Sequence, residues 1–326
     1  MEEQRVRSNP KTDQAFSASS IKGLKRERTY GGAMSFLRRT YTKKLRGVDI
    51  AIVGIPYDLA TSDRGGARFG PRALRAASVK IANSIPWPWG FDPTEHLAII
   101  DYGDFGFDFG YPHMIPSEIE SQASKVLKSG ASMVALGGDH FIALPLLRAY
   151  AAQFGKLALV HFDAHSDSAA DTTGRISHGT MFYHAVKEGL IDPAYSVQIG
   201  IRTHNSDPLG MRWLTADWVH EHSTREVARA IQETVNGRSA YLTFDIDCLD
   251  PAFAPGTGTP VVGGLTTAQA RGILTKLQTV NFVGMDLVEV SPPYDCAEIT
   301  ALAGATLILD YLCIRASNRA SHKARV

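Results

Sequence analysis

The stretch that decides the fold is LALVHFDAHSD, residues 157–167, in which a short apolar run ends in Asp163, His165 and Asp167. A second stretch, YLTFDID at residues 241–247, has the same pattern: a short apolar run that ends in Asp245 and Asp247. Short apolar runs of this kind are typical of buried strands in a parallel sheet, where ligands bind at the carboxyl ends of the strands. The two stretches therefore predict an α/β protein with its functional site at the strand ends.

The rest of the chain from Val48 onward alternates short β-branched runs with amphipathic stretches. The predicted strands are 49–55, 97–100, 133–136, 157–162, 196–201, 240–244 and 281–288. The predicted helices are 116–128, 141–154, 179–188, 223–235, 266–277 and 298–316. We expect a parallel sheet covered by helices on both faces, but the alternation fits an open sheet and a closed barrel equally well. The glycine-rich segments 54–58 and 64–71 match no phosphate-binding pattern and are interpreted as turns.

The composition is that of an ordinary globular protein, with 326 residues, 44% hydrophobic and 21% charged. Residues 1–47 differ because they are rich in Lys and Arg and poor in aliphatic residues. We expect them to form a basic N-terminal extension, either solvated or packed at an interface, and residues 48–326 to form a single catalytic domain. The two glutamates at positions 2 and 3 argue against an organellar targeting peptide.

The overall charge points to a small-molecule partner. With 34 Lys and Arg against 33 Asp and Glu the net charge is +1, so no global field attracts nucleic acid or an anionic membrane. The three cysteines show no CxxC spacing, which fits a reducing compartment. No apolar run approaches the roughly 20 residues needed to span a bilayer, and the N-terminus lacks a secretory signal, so we expect a cytoplasmic protein.

Six side chains at three predicted strand ends are candidate metal ligands. They are His140 after Gly137-Gly138-Asp139, then Asp163, His165 and Asp167, and finally Asp245 and Asp247. Alternate residues of an extended segment share a face, so the side chains of each segment should converge. Clustered carboxylates cannot all ionise unaided, and six oxygen-rich ligands suit two Mn²⁺ ions sharing a bridging aspartate. Two such ions would produce hydroxide at neutral pH, so the pattern indicates a hydrolase.

Two further residues have candidate catalytic roles beside these ligands. His178 precedes a helix and follows a polar loop, a position from which it could pass protons to a leaving amine. Glu289 follows a predicted strand, and its carboxylate should attract a cationic substrate. The alternative for each is structural: a surface histidine and a helix cap.

These motifs resemble those of the ureohydrolases, the family of arginase, agmatinase and their relatives. The resemblance runs from about Val48 to the C-terminus. It rests on Gly137–His140, Asp163–Asp167, Ser177–Gly179 and Asp245–Pro251, and 254–260, 179–182, 289–292 and 298–304 fit the agmatinase-like branch.

The resemblance implies a three-layer α/β/α sandwich with a mostly parallel sheet, which favours the open sheet over the barrel. It also implies two Mn²⁺ ions per subunit, with Asp163 and Asp245 bridging. One ion would bind His140, Asp163, Asp167 and Asp245, and the other Asp163, His165, Asp245 and Asp247. In the same comparison His178 corresponds to a proton-relay histidine and Glu289 to the glutamate that holds the substrate guanidinium. The family also suggests a homo-oligomer, a trimer or a hexamer.

The substrate tail is a separate question. A guanidinium, with a pKa above about 12, is too resonance-stabilised for water alone to attack, which explains the need for two metal ions. The family comparison implies that an arginase has an Asn, which anchors the α-amino acid head of arginine, at the position that Ala169 occupies here. We therefore expect the substrate to be agmatine, hydrolysed to putrescine and urea, rather than arginine. Asp171 is a candidate for the tail amine. Guanidinobutyrate and guanidinopropionate stay open, because Arg175 could pair with a carboxylate tail.

Two other classes are possible for a chain with these motifs. The first is a non-catalytic interaction protein that has kept the metal site, although the complete ligand set with His178 and Glu289 argues against it. The second is a deacetylase-like hydrolase, but such an enzyme would be expected to use a single zinc ion. The paired Asp245 and Asp247 with a second aspartate and histidine set fit two ions better.

Overall fold

The computed structural model describes residues 29–82, 84–170 and 176–323, of which 319–323 are described by their backbone alone. Its strands are β1 (Ile50–Ile55), β2 (Ile99–Asp104), β3 (Ser132–Gly137), β4 (Ala158–Phe162), β5 (Val197–Ile201), β6 (Arg212–Thr215), β7 (Ser239–Asp245) and β8 (Asn281–Val288). Its α-helices are α1 (Gly70–Ser78), α2 (Pro93–His96), α3 (Ile115–Lys128), α4 (Ala143–Phe154), α5 (Met181–Lys187), α6 (Ala216–Glu221), α7 (Thr224–Val235), α8 (Thr267–Leu274) and α9 (Ile299–Lys323).

The strands form one open eight-stranded sheet in the order β2-β1-β3-β8-β7-β4-β5-β6, and every pair is parallel. Helices cover both faces of the sheet. Alternate strand residues point to opposite faces, so each strand contributes to both cores. Ile50 and Ile52 belong to the core on the face covered by α1 and α6–α9, whereas Ala51, Val53 and Ile55 belong to the core on the face covered by α3–α5. The predicted α/β/α sandwich is confirmed.

Several predicted elements differ from the structure. The edge strand β6 was not predicted. Residues 64–71 were predicted as turns, but α1 begins at Gly70 with Pro71 in its first turn. Proline is favoured there because the backbone N–H that it lacks would have no intrahelical partner in the first turn. The strand predicted at 97–100 lies at Ile99–Asp104.

The longest described helix, α9, is long and apolar enough to cross a bilayer by length and composition over Ile299–Asn318. Asp310 and Arg315 interrupt this stretch, so it is not the uninterrupted apolar run whose absence the sequence predicted. However, 72% of its apolar window is buried inside the protein. Its buried side chains, among them Leu307, Ile308 and Leu312, belong to the core on one face of the sheet. We therefore interpret α9 as a core helix.

Part of the predicted basic extension packs against the sheet. Phe36, Leu37, Arg38 and Arg39 are buried, and the amide N–H of Phe36 donates to Asp101 Oδ2 at 2.7 Å. The boundary between residues 47 and 48 stays a prediction.

A buried ion pair joins α1 to β2. Arg75 donates through Nε and Nη2 to the fully buried Asp101, at 2.8 and 3.1 Å, and through Nη1 to Asp104 at 2.6 Å. Removing one partner of such a pair leaves an uncompensated buried charge. We expect Arg75→Ala to lower the free energy of unfolding by about 3 kcal/mol. Urea denaturation would measure this, with Arg72→Ala, an exposed position on the same helix, as the control. Equal midpoints for the two variants would contradict the prediction.

Candidate metal centre

The six predicted ligands meet at the carboxyl edge of the sheet, where the neighbouring strands β3, β8, β7 and β4 end. Gly138 makes the exit from β3 possible. A Cβ at this position would lie 2.0 Å from the Tyr57 carbonyl oxygen. The chain can therefore turn tightly past the loop after β1 and bring His140 to the strand ends.

The side chains converge by a different route from the one predicted. The segment 163–167 is not extended: Asp163 Oδ1 accepts from the His165 amide at 2.6 Å, and Asp167 has a positive φ of 48°. Likewise Asp245 Oδ1 accepts from the Asp247 amide at 2.8 Å, and Asp247 lies in a 3₁₀ turn. The prediction of strand alternation was wrong, because local turns closed by the aspartates themselves aim these side chains.

The ligand atoms form two groups that share one carboxylate. Around His140 Nδ1 lie Asp163 Oδ2 at 3.1 Å, Asp167 Oδ2 at 2.9 Å and Asp245 Oδ2 at 3.3 Å. Around His165 Nδ1 lie Asp163 Oδ1 at 3.3 Å and Asp247 Oδ2 at 3.1 Å. Asp163 thus offers one oxygen to each group, which is the arrangement of a bridging ligand.

The buried imidazole of His140 fits a metal ion. Its Nε2 lies 2.8 Å from Thr243 Oγ1, and that hydroxyl donates to Asp286 Oδ1 at 2.5 Å. Because the hydroxyl proton is used, Oγ1 accepts from Nε2–H, and the lone pair of His140 is on Nδ1. Nδ1 is buried, has no hydrogen-bond partner among the described residues, and faces three carboxylate oxygens. A cation among these atoms would remove the repulsion between their lone pairs.

The charges of the cluster lead to the same conclusion. Burial and the neighbouring carboxylates Asp247 and Asp163 raise the pKa of Asp245 well above its usual range. Burial also raises the pKa of Asp167 and that of Asp247, and the negative charge of Asp163 raises both further. Burial opposes protonation of His165, but Asp163 and Asp247 raise its pKa to about 12. Without a cation the cluster therefore takes up protons, and bound divalent ions would replace those protons.

His178 and Glu289 lie together at this site. His178 Nδ1 is 3.0 Å from Glu289 Oε1, which also accepts from the His140 amide at 2.9 Å. His178 Nε2 faces both the amide N–H of Ser62, at 3.0 Å, and the Ser62 hydroxyl, at 2.8 Å. Burial lowers the pKa of His178, but the Glu289 carboxylate outweighs it and raises the pKa to about 9. The Ser62 amide opposes that protonation because an N–H donates only to an unprotonated Nε2.

The second oxygen of Glu289 is available to a cation. Oε2 is buried and has no hydrogen-bond partner among the described residues. Glu289 also has a φ of 63°, an uncommon left-handed conformation for a residue with a side chain. Such conformations persist where the surrounding structure imposes them, often at functional sites. A buried carboxylate oxygen held in this way suits a guanidinium N–H donor.

Other residues of the site were not found from the sequence. These are His161, Gln198, Thr243 and Asp286, which are fully buried within strands predicted only as structural elements. Their signal was a polar side chain inside an apolar strand, which must have a polar partner. Of the predicted residues at the site mouth, Ala169 is exposed, and Asp171 and Arg175 lie outside the described residues.

An open parallel α/β sheet with two His and Asp groups at its central strand ends defines a metal-dependent hydrolase. The chain belongs to the arginase family, whose model matches residues 48–313.

Among its relatives, the chain is 53% identical to an agmatinase of Chromobacterium violaceum over 93% of its own length and 94% of the relative's. Among solved structures it is similar to a hypothetical agmatinase from Burkholderia thailandensis, with 55% identity, a TM-score of 0.94 and coverage of 95% and 98%. It is also similar to proclavaminate amidino hydrolase from Streptomyces clavuligerus, with 39% identity, a TM-score of 0.84 and coverage of 90% and 100%.

Proposed function

We propose that this chain is an agmatinase, a ureohydrolase that converts agmatine to putrescine and urea at a pair of Mn²⁺ ions. The observation that carries the proposal is the shared carboxylate of Asp163, whose two oxygens belong to two separate ligand groups. Its agmatinase relatives, at 53 to 56% identity over most of the chain, support the substrate.

The ligands divide between the ions as the sequence comparison implied. His140, Asp163, Asp167 and Asp245 would hold one ion, and Asp163, His165, Asp245 and Asp247 the other. Asp245 is proposed as the second bridge: its Oδ2 faces His140, and its Oδ1 accepts from the Asp247 amide. The mixed oxygen and imidazole donor set favours Mn²⁺ over metals that prefer thiolates.

The reaction needs the substrate guanidinium to be held and a proton to reach the leaving amine. A pair of divalent ions supplies Lewis acidity and a hydroxide nucleophile at neutral pH. Glu289 Oε2 would accept from the guanidinium, orienting its carbon towards the cluster and pairing with its charge. His178, hydrogen-bonded to Glu289 through Nδ1, would gain and lose a proton at Nε2 and so supply the one that the leaving amine requires.

We also propose a cytoplasmic location, on the basis of the composition, and a homo-oligomer, on the basis of the family resemblance. The near-neutral charge and the three free cysteines agree with a protein of a reducing compartment that acts on a small molecule. A guanidino compound is the proposed partner, with neither nucleic acid nor a membrane involved.

The experiment is urea release by the Mn²⁺-loaded protein from agmatine, arginine, guanidinobutyrate and guanidinopropionate, compared as kcat/KM. We expect agmatine to be preferred by at least about 100-fold, since a site built for a tail amine leaves a carboxylate tail unpaired. Preference for an acid-tailed compound would keep the chemistry and overturn the substrate. No urea from any of the four would favour the non-catalytic alternative.

A further inference from the structure

One more polar residue, His161, lies close enough to the six proposed ligands to be one of them. It is fully buried in β4, and its Nε2 lies 2.7 Å from Asp163 Oδ2. Its ligand atom is within 4.8 Å of those of His140, Asp163 and Asp167. Distance alone therefore allows His161 to be either a metal ligand or a hydrogen-bond donor to one.

The side chain of Gln198 decides between these roles. Trp213 donates its indole N–H to Gln198 Oε1 at 2.5 Å, and an indole nitrogen can only donate. Gln198 Nε2 donates to the Ser166 carbonyl oxygen at 2.6 Å, and a carbonyl can only accept. These two partners fix the orientation of the amide, so it is Nε2 that faces His161 Nδ1 at 2.9 Å.

The amide orientation in turn fixes the tautomer of His161. Because Gln198 Nε2 donates, His161 Nδ1 accepts and its ring proton is on Nε2. That N–H donates to Asp163 Oδ2. His161 Nε2 consequently has no lone pair to offer a cation.

We propose that Trp213, Gln198 and His161 form a positioning chain that holds Asp163 in its bridging orientation, and that His161 is not a metal ligand. The inference rests on the proposed two-ion site. Each oxygen of Asp163 accepts one protein hydrogen bond, from His161 to Oδ2 and from the His165 amide to Oδ1. The carboxylate is therefore fixed with one oxygen towards each ligand group before any ion binds, which reduces the entropy lost on binding.

The test is Mn²⁺ binding to the metal-free protein of 326 residues, measured by titration calorimetry together with the number of ions bound. The substitution His161→Phe keeps an aromatic ring in place of the imidazole, whose centroid lies 4.6 Å from that of Phe182, but it removes the ring N–H. We expect His161→Phe to weaken Mn²⁺ binding about 10- to 100-fold while two ions still bind. His161→Gln, which can again donate an N–H, should recover most of the loss.

A variant at Trp213, the end of the positioning chain away from Asp163, keeps the test valid if the buried His161→Phe substitution prevents folding. Trp213 is half-buried, and Trp213→Phe removes the indole N–H together with the pyrrole ring that carries it; we expect it to weaken Mn²⁺ binding about threefold to tenfold. The matched control is Trp218→Phe, which makes the same change at a half-buried tryptophan that stacks on His222 and is not part of the positioning chain. The Mn²⁺ affinity of this variant should equal that of the wild type.

The outcomes separate this inference from the proposed function. Binding of two Mn²⁺ ions by the wild type, with unchanged affinity in both His161→Phe and Trp213→Phe, would overturn the positioning chain alone. Loss of one of the two ions in His161→Phe would make His161 a ligand and overturn its assignment. Failure of the wild type to bind Mn²⁺ would overturn the two-ion site itself.

Discussion

Asp245→Asn is expected to abolish turnover, lowering kcat by at least about 1000-fold. Asp245 is buried, and its Oδ2 lies 3.3 Å from His140 Nδ1 within the first ligand group. Asn keeps the shape and the acceptor for the Asp247 amide but replaces the charged oxygen. The stabilisation that a metal pair gives a transition state amounts to several kcal/mol, and about 4 kcal/mol corresponds to three orders of magnitude in rate.

The metal-free variant should fold at least as well as the wild type. Burial and neighbouring charges raise the folded-state pKa of Asp245 well above its usual range. A carboxylate with a raised pKa destabilises the folded state as pH rises above the unfolded value, so a neutral Asn removes a cost at neutral pH. Circular dichroism of the metal-free proteins would check this, and Asp217→Asn, an exposed position on α6, is the control for turnover. Retained activity with full metal content would contradict the role of Asp245.

His178→Ala is expected to lower kcat by about 100- to 10,000-fold with metal content unchanged. The imidazole contacts Glu289 and Ser62, and among the described residues none of its hydrogen bonds goes to a proposed ligand side chain. Its loss should therefore remove proton transfer without emptying the site. Steady-state kinetics and metal analysis of the same preparation would measure both effects.

The control for this variant is His113→Ala, which removes an exposed histidine in a segment that contains none of the proposed site residues. Its kcat should match the wild type. If His178→Ala instead lost metal in proportion to activity, His178 would be a ligand and the relay role would be wrong.

The sequence predicted the fold class because the strands are short, buried and apolar, and that pattern is local. It did not predict the order of the strands or exclude a barrel, since both depend on contacts between distant segments; the family resemblance favoured the open sheet. The edge strand Arg212–Thr215 was missed because it is short and only one of its residues, Leu214, is buried. The helix at Gly70 was hidden by glycines that suggested turns.

The ligands could be predicted because Asp and His recur at strand ends, but the way they converge could not. Asp167 has a left-handed backbone, and Asp163 and Asp245 close local turns with their own carboxylates. These conformations arise only from the folded surroundings. Gln198 was overlooked for a related reason: its partners, His161 and Trp213, become its neighbours only when β4, β5 and β6 assemble.

The most direct measurement is the identity of the products formed from agmatine by the Mn²⁺-loaded protein. The proposed cleavage places the broken bond between the guanidinium carbon and the substituted nitrogen, so urea and putrescine should appear in equal amounts, and the metal-free protein should form neither. Release of ammonia with carbamoylputrescine would mean that a terminal nitrogen leaves instead, and would contradict a ureohydrolase.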